Sequence, residues 1–337
     1  MPDDRSALDP RAARLLHMLE AGDAATTSRP SPLERRESLR GLADLAADPP
    51  PPGVTCEGLS CPAADGVRLD LRRYTPEIDP EGAGSGPRPA MLYLHGGGWV
   101  AGDLETHAGV CGALAASSDC VVFALAYRRP PEHPFPGPIR DALDALAWLA
   151  REASRLGIDA RRLVLAGDSA GANLAAACLV EERASPVALL LLICPILDLP
   201  LTTGSRERFG HGFFLDHGRL AADAEDYLQG ADPADPQVSP LRARSLTHLP
   251  PTLIHAATCD PFRDEALAYA GRLEAAGVPV RVTVHPGMIH YFYALPRAIP
   301  FARSALAEIG TQVRSSLTEA RDARGPKPSD QPSASSE

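Results

Sequence analysis

The chain has 337 residues, 45% of them hydrophobic, enough to bury a full core as one large α/β domain or two smaller ones. A formal net charge of -10 argues against nucleic acid or an anionic membrane as the main partner, because both reward basic surfaces. The 7 cysteines form no CxxC pair and are odd in number, which fits neither a disulfide framework nor a zinc site, so reduced thiols are expected.

The N-terminal "MPDDRSALDPRAARLLHMLE" opens acidic and lacks the long apolar run of a signal peptide. Residues 1–48 read as two helices separated by a turn around "TTSRPSP" and ended by the proline run Pro49–Pro52. From about residue 67 short apolar runs alternate with helical spacing. Val67, Leu69 and Leu71 alternate with polar residues, and 90–95, 120–127, 162–167, 187–194, 252–257 and 278–285 are strand-like. Residues 138–156, 170–183 and 264–276 carry helical spacing. This alternation predicts an α/β fold with a mostly parallel central sheet and helices on both faces. Residues 199–232 interrupt it with a turn and a helix. The run 187–194 is far too short to cross a membrane, and a soluble, cytoplasmic protein is expected. The expected division is therefore an N-terminal cap segment (1–52), a first part of the core (53–198), a cap insertion (199–232), a second part of the core (233–318) and a disordered tail rich in Ser, Pro, Asp and Arg (319–337).

Within that frame, "GDSAG" (167–171) has the G-x-S-x-G form of a nucleophile elbow, placed after a strand and before a helix. Gly167 and Gly171 permit a tight turn that lifts the Ser169 hydroxyl clear of the sheet. A plain glycine–serine turn would show the same five residues. "YLHGGGWVAGD" (93–103) supplies consecutive glycines after another strand, which frees backbone amides to face a developing oxyanion; no GKS or GKT follows, which excludes a P-loop. A serine hydroxyl needs a base. His290, in "HPGMIHYF", follows the last strong strand and stands behind a glycine that can turn the chain, and His285 is the rival. The orienting acid should come from an intervening strand end. Asp260 in "CDPFRDE" suits that place, although Asp followed by Pro also makes a helix start, with Asp264 and Glu265 as first-turn acids. Asp198 is the rival acid.

Together "HGGGW", "YRRPPEHPFPGP", "GDSAGANLA", "DPQVSPL", "CDPFRDEALAYA" and "PGMIHYF" occur in an order that resembles the hormone-sensitive-lipase-like (bacterial family IV) esterases, over roughly residues 55 to 316. The resemblance implies an α/β-hydrolase core under a helical cap made of the N-terminal segment and an insertion. It also implies Ser169 as nucleophile, His290 as base and acid, and Asp260 rather than Asp198 as the orienting carboxylate. The oxyanion hole would be formed by the amides of Gly97, Gly98 and Ala170. Glu132 and His133 match a block that supports the loop near the site. Arg129 and Pro130 stand where the family commonly has Leu-Ala, and Tyr291 follows the histidine where glycine is frequent. Trp99, Phe213, Phe214 and Tyr291 are the expected pocket residues, although Phe213 and Phe214 could equally serve only to anchor the insertion to the core. The implied reaction is hydrolysis of short- to medium-chain carboxylic esters through an acyl-enzyme. It requires no metal or organic cofactor. The partner is a small-molecule ester, and a homodimer is one assembly open to the chain. Deacetylation of an N- or O-acetylated metabolite would use the same triad; a non-catalytic receptor of this fold is a more distant alternative, because all three triad positions are present.

Overall fold

The computed structural model describes residues 4–23, 30–77, 86–181 and 186–323. The apolar runs pair into one eight-stranded sheet in the order β1-β2-β4-β3-β5-β6-β7-β8. β1 (Val54–Pro62) and β2 (Arg68–Pro76) form an antiparallel ribbon, and β2 pairs antiparallel with β4 (Val121–Leu125). From there β3 (Arg88–Leu94), β5 (Ile158–Asp168), β6 (Val187–Ile193), β7 (Thr252–Cys259) and β8 (Val280–Ile289) are all parallel. Strand alternation divides the core in two. Ala90, Leu92, Leu94, Leu165 and Leu192 face one layer, Met91, Tyr93, Val164, Ala166 and Leu191 the other, and all are buried. The first layer is closed by α4 (Gly137–Arg151) and α6 (Ala170–Ala177), together with α9 (Arg263–Ala275). The second is closed by α3 (Ala108–Ser118) and α10 (Phe301–Ala323).

This wiring decides where a ligand can sit. β3 and β5 are neighbours, yet the helix that follows β3 goes to one face and the helix that follows β5 goes to the other. Their carboxyl ends therefore diverge into a crevice, the switch point at which open α/β sheets bind ligands. The glycine loop leaves β3 and the serine turn leaves β5, so both motifs open into that crevice.

The two interruptions of the pattern are helical, as expected. α1 (Pro10–Asp23) and α2 (Pro32–Ala46) form the N-terminal piece, the latter started by a reciprocal Ser31–Glu34 capping box. The insertion holds two short helices rather than one, α7 (Gly204–Phe209) and α8 (His217–Leu228), capped by Thr203 and Asp216. The short α5 (Ala153–Leu156) completes the set. α10 runs to Ala323, past residue 319, where a disordered tail was expected to begin; residues 324–337 lie outside the described ones. Among the described residues, no helix is long and apolar enough to cross a membrane.

His285 was the rival base. It lies instead against His255 of the neighbouring strand, with stacked rings 5.3 Å apart and a 3.1 Å contact between Nδ1 of His255 and Nε2 of His285. Burial lowers His255 to about 3, with His285 beside it adding to the effect. Burial lowers His285 too, partly opposed by Glu308 of α10. Both rings thus stay neutral in the fold, while the unfolded chain takes up protons below about 6.5. The pair's contribution is complete above that value and is lost as pH falls below it, at about 1.4 kcal/mol per pH unit for each excluded proton. Urea unfolding at pH 7 and pH 5 should therefore show a loss of stability that is smaller by about 2 kcal/mol in His255→Leu than in the wild type. Equal losses in the two proteins would remove the pair as the cause.

Candidate active site

β5 ends on Asp168, and Ser169 turns the chain at φ 53 and ψ -120 before α6 begins. A non-glycine residue in that region is strained and is held only because its surroundings leave no alternative. Those surroundings are backbone. A methyl group on Gly167 would strike the Gly171 carbonyl, and one on Gly171 would strike the carbonyl oxygen of Leu94 at the end of β3. The Ser169 amide donates to the carbonyl of Ile193 at 2.8 Å, tying the turn to β6.

The structure brings together the three residues implied by the resemblance. His290 Nδ1 lies 2.8 Å from Asp260 Oδ2, and its Nε2 lies 2.9 Å from Ser169 Oγ. An ionised carboxylate only accepts, so Nδ1 carries the proton and Nε2 accepts from the serine hydroxyl. The other oxygen of Asp260 accepts from the Phe262 amide at 2.8 Å, and the Phe262 ring stands edge-on to the imidazole. Asp260 therefore shapes the turn before α9 and also holds His290. Its rival Asp198 is occupied elsewhere, accepting from Arg242 at 2.9 Å. Among the described residues, the one cluster with metal-ligand geometry is Cys194, Asp260 and His290. It consists of this hydrogen-bonded pair plus a thiol that burial, reinforced by Asp260, pushes well above its ordinary range. An ion there would have to displace the bond from His290 to Asp260.

Gly97 and Gly98 adopt φ 118 and 61, left-handed backbone that glycine tolerates, and both line the same cavity as Ser169 and His290. The amides of Gly97 and Gly98 donate no hydrogen bond among the described residues. Neither does that of Ala170, which belongs to the first turn of α6, where amides have no intrahelical acceptor. The loop itself is held from outside. Arg36 of α2 donates to the Val100 carbonyl at 3.0 Å and grips Glu132 through two hydrogen bonds of 2.8 and 2.6 Å. Arg129, in place of the family's usual leucine, donates to the Gly102 carbonyl.

Asp168 is the residue that the motif contained and the sequence left without a role. It is fully buried and accepts from Tyr93 Oη and Tyr293 Oη (2.8 Å each), from the Gly96 amide (2.9 Å) and from His107 Nε2 (3.2 Å). Burial pushes its carboxyl upward, but His107 and the hydroxyl donors outweigh this and hold it below the ordinary aspartate range. Four separate segments meet on it: β3, the glycine loop, the start of α3, and the segment three residues beyond His290. Only its place beside Ser169 hinted at this.

A cavity of about 740 Å³ opens over Ser169, lined by α1, α2, the insertion and Tyr291. Of the expected pocket residues, Phe214 and Tyr291 line it, stacked on each other at 5.6 Å. Trp99 and Phe213 do not. The Trp99 indole is fully buried, stacks on Tyr227 of α8 at 4.7 Å and donates to Asn173, so it supports the insertion from beneath. Phe213 packs edge-on against Phe209 of α7. Glu265 is the first-turn acid expected for α9, and it is fully buried. It accepts from the amides of Leu197 and Asp198 and, at 2.6 Å, from Arg206 of α7, anchoring the insertion to the core.

With this geometry in hand, comparison with known proteins identifies the lineage. Residues 91–294 match the family model described as alpha/beta hydrolase fold. The chain is 36% identical to the ethyl acetate hydrolase of Pseudomonas putida over 315 residues, 90% of this chain and 97% of that relative. It is 33% identical to the esterase LipI of Mycobacterium tuberculosis over 90% of this chain and 93% of the relative. The chain belongs to the hormone-sensitive-lipase-like esterases of the α/β-hydrolase superfamily. Solved structures agree: an α/β hydrolase from the metagenome of Lake Arreo superposes with a TM-score of 0.84 at 34% identity, covering 93% of this chain and 99% of that one. A thermostable esterase of Pseudomonas putida gives 0.84 at 30% identity, covering 92% and 98%. This esterase is a carboxylic ester hydrolase.

The four-way bonding of Asp168 makes a definite demand on the esterase. Asp168→Asn keeps the shape but turns one acceptor into a donor facing hydroxyl, amide or imidazole donors. We expect about 2–4 kcal/mol lower stability in urea unfolding. We also expect kcat to fall at least about tenfold with KM changing less, because the misplaced groups act in the transition state. An unchanged kcat would show that the four contacts do not position the site.

Proposed function

We propose that the enzyme hydrolyses short- to medium-chain carboxylic esters in two steps through an acyl-enzyme on Ser169. The observation that carries this reading is the unbroken chain Asp260–His290–Ser169 beside three unengaged amides. His290 Nε2 takes the serine proton as Oγ attacks the ester carbonyl, and Asp260 fixes the tautomer and stabilises the imidazolium that forms. The carbonyl oxygen, now negative, is received by the amides of Gly97, Gly98 and Ala170, each donor worth about 3 kcal/mol of barrier. His290 then protonates the leaving alcohol, and water repeats the sequence on the acyl-enzyme, returning the serine. The chain's own residues supply every proton transfer.

In this reading residues 1–52 and 199–232 form a cap over the core, and Phe214 and Tyr291 contact the substrate. Trp99 and Phe213 support that wall from behind. The mainly apolar cavity suits short and medium acyl chains, and the name of the Pseudomonas putida relative, an ethyl acetate hydrolase, points the same way. A cytoplasmic location is consistent with all seven cysteines being free thiols.

Ser169→Ala should lower kcat on p-nitrophenyl butyrate by about 10⁴-fold or more, and rapid mixing of the wild type should release a burst of p-nitrophenol equivalent to the enzyme where deacylation limits. Full activity in that variant would refute the mechanism. Asp260→Asn should cost about 10²–10⁴-fold in kcat through the wrong tautomer. Asp198→Asn should cost far less, and the reverse order would transfer the orienting role to Asp198.

A further inference from the structure

The cavity is not uniformly apolar. Leu16, Leu19, Leu39, Leu42 and Leu220 line it, but so do Arg35 of α2 and Asp223 of α8, joined as an ion pair in which Arg35 Nη1 donates to Asp223 Oδ1. Their side chains are only 19% and 6% exposed, so the charges stand in a largely dry wall. Their place is also close to the reaction. A methyl group on Gly98 would strike Asp223 Oδ2, which puts the carboxylate directly against one of the glycines of the oxyanion loop.

We propose that this pair selects esters bearing a neutral hydrogen-bonding group, a hydroxyl or an amide, within a few atoms of the scissile carbonyl. The inference rests on ester hydrolysis at Ser169. A paired carboxylate and guanidinium present an acceptor and a donor side by side. A hydroxyl or amide answers both at once, donating to Asp223 and accepting from Arg35. An ammonium group would suit Asp223 but face Arg35, and a carboxylate would meet the opposite conflict. A plain alkyl chain laid across the pair would desolvate it without returning a hydrogen bond. Because Arg35 comes from the N-terminal piece and Asp223 from the insertion, the element forms only when both cap pieces are in place.

The test compares kcat/KM for ethyl butyrate, ethyl 3-hydroxybutyrate and 2-hydroxyethyl butyrate, the last two placing the hydroxyl on the acyl and the alcohol side. One of the two hydroxylated esters should exceed ethyl butyrate by about tenfold or more, as expected for a hydrogen bond to a charged group. Which one does so assigns the pair to its side of the ester. In Arg35→Leu/Asp223→Leu the ratio should fall to about one, and in Asp223→Asn it should fall part of the way. Each ratio is taken within one preparation, so partial unfolding of a variant cancels. Equal rates for all three esters in the wild type would overturn the inference, leaving the pair as a latch between α2 and α8 while hydrolysis stands. Failure to hydrolyse any of them would remove the underlying reaction itself.

Discussion

The constraint on which the site depends is the buried carboxylate of Asp168. An isolated ionised carboxylate in a dry interior is prohibitively costly, so it exists only where donors converge on it. Here the donors come from four segments that are far apart in sequence: Tyr93 in β3, Gly96 in the glycine loop, His107 before α3, and Tyr293 beyond His290. Satisfying one charge therefore fixes the relative positions of the Ser169 turn, the glycine loop and the His290 loop. A fully connected polar cluster of this kind specifies geometry in a way that apolar packing, which tolerates volume-conserving rearrangement, does not. The strained dihedrals of Ser169 are held within the same frame, because the residue before it cannot move without leaving a charge unpaired.

The N-terminal piece and the insertion are attached by the same principle applied at their edges. Arg206 of the insertion meets Glu265 of the core in a buried pair reinforced by two backbone amides, and Arg36 of the N-terminal piece grips Glu132 while donating to Val100. Both clamps end on loops near Ser169: Glu265 holds the turn after β6, and Val100 follows Gly97 and Gly98. These contacts tie the position of both pieces to that of the glycine loop and the turn after β6. The stack of Trp99 on Tyr227, with the indole N–H on Asn173, buries the one aromatic residue next to the glycines beneath the insertion and away from the cavity.

Much of the sheet was legible because buried parallel strands are short, continuous apolar runs, and β3 to β7 each announced themselves in this way, while the edge strand β8 showed itself by alternation. β1 did not. It is an edge strand with only Cys61 buried, so it carries no apolar face to read. α3 was hidden for the opposite reason: with Val110, Cys111, Gly112, Leu114, Ala115 and Ser118 all buried, it has no polar face to set a period. α10 does carry its period, at Ala302, Ala305, Leu306, Ile309, Val313 and Leu317, yet the polar composition beginning near residue 319 drew attention to a tail instead. In the site, residues carried by a spaced motif were legible: Ser169, His290 and the glycines, which the fold brings to one cavity. Residues that act through convergence were not. Tyr93, His107 and Tyr293 have no sequence relation to one another and meet only on the folded carboxylate. Glu265 and Arg206 likewise look like ordinary surface charges until folding buries them together.

The electrostatic arrangement around Ser169 is paradoxical at first sight, since three carboxylates, Asp168, Asp260 and Asp223, stand near a place where the proposed reaction would create a further negative charge. The paradox dissolves when each carboxylate is traced to its partners. Asp168 is engaged by four donors, Asp260 by His290 and the Phe262 amide, and Asp223 by Arg35. Each field is largely absorbed by donors already in place, so little of it remains to oppose an oxyanion. The amides of Gly97, Gly98 and Ala170, in contrast, have no acceptor among the described residues. Under the proposed mechanism, a resting site in which these three anions are paired, and whose open groups beside Ser169 are donors, would stabilise negative charge only where it appears in the transition state. Because those donors are backbone held in fixed turns, they need not reorganise when the charge arrives, which is the condition under which electrostatic preorganisation is most effective.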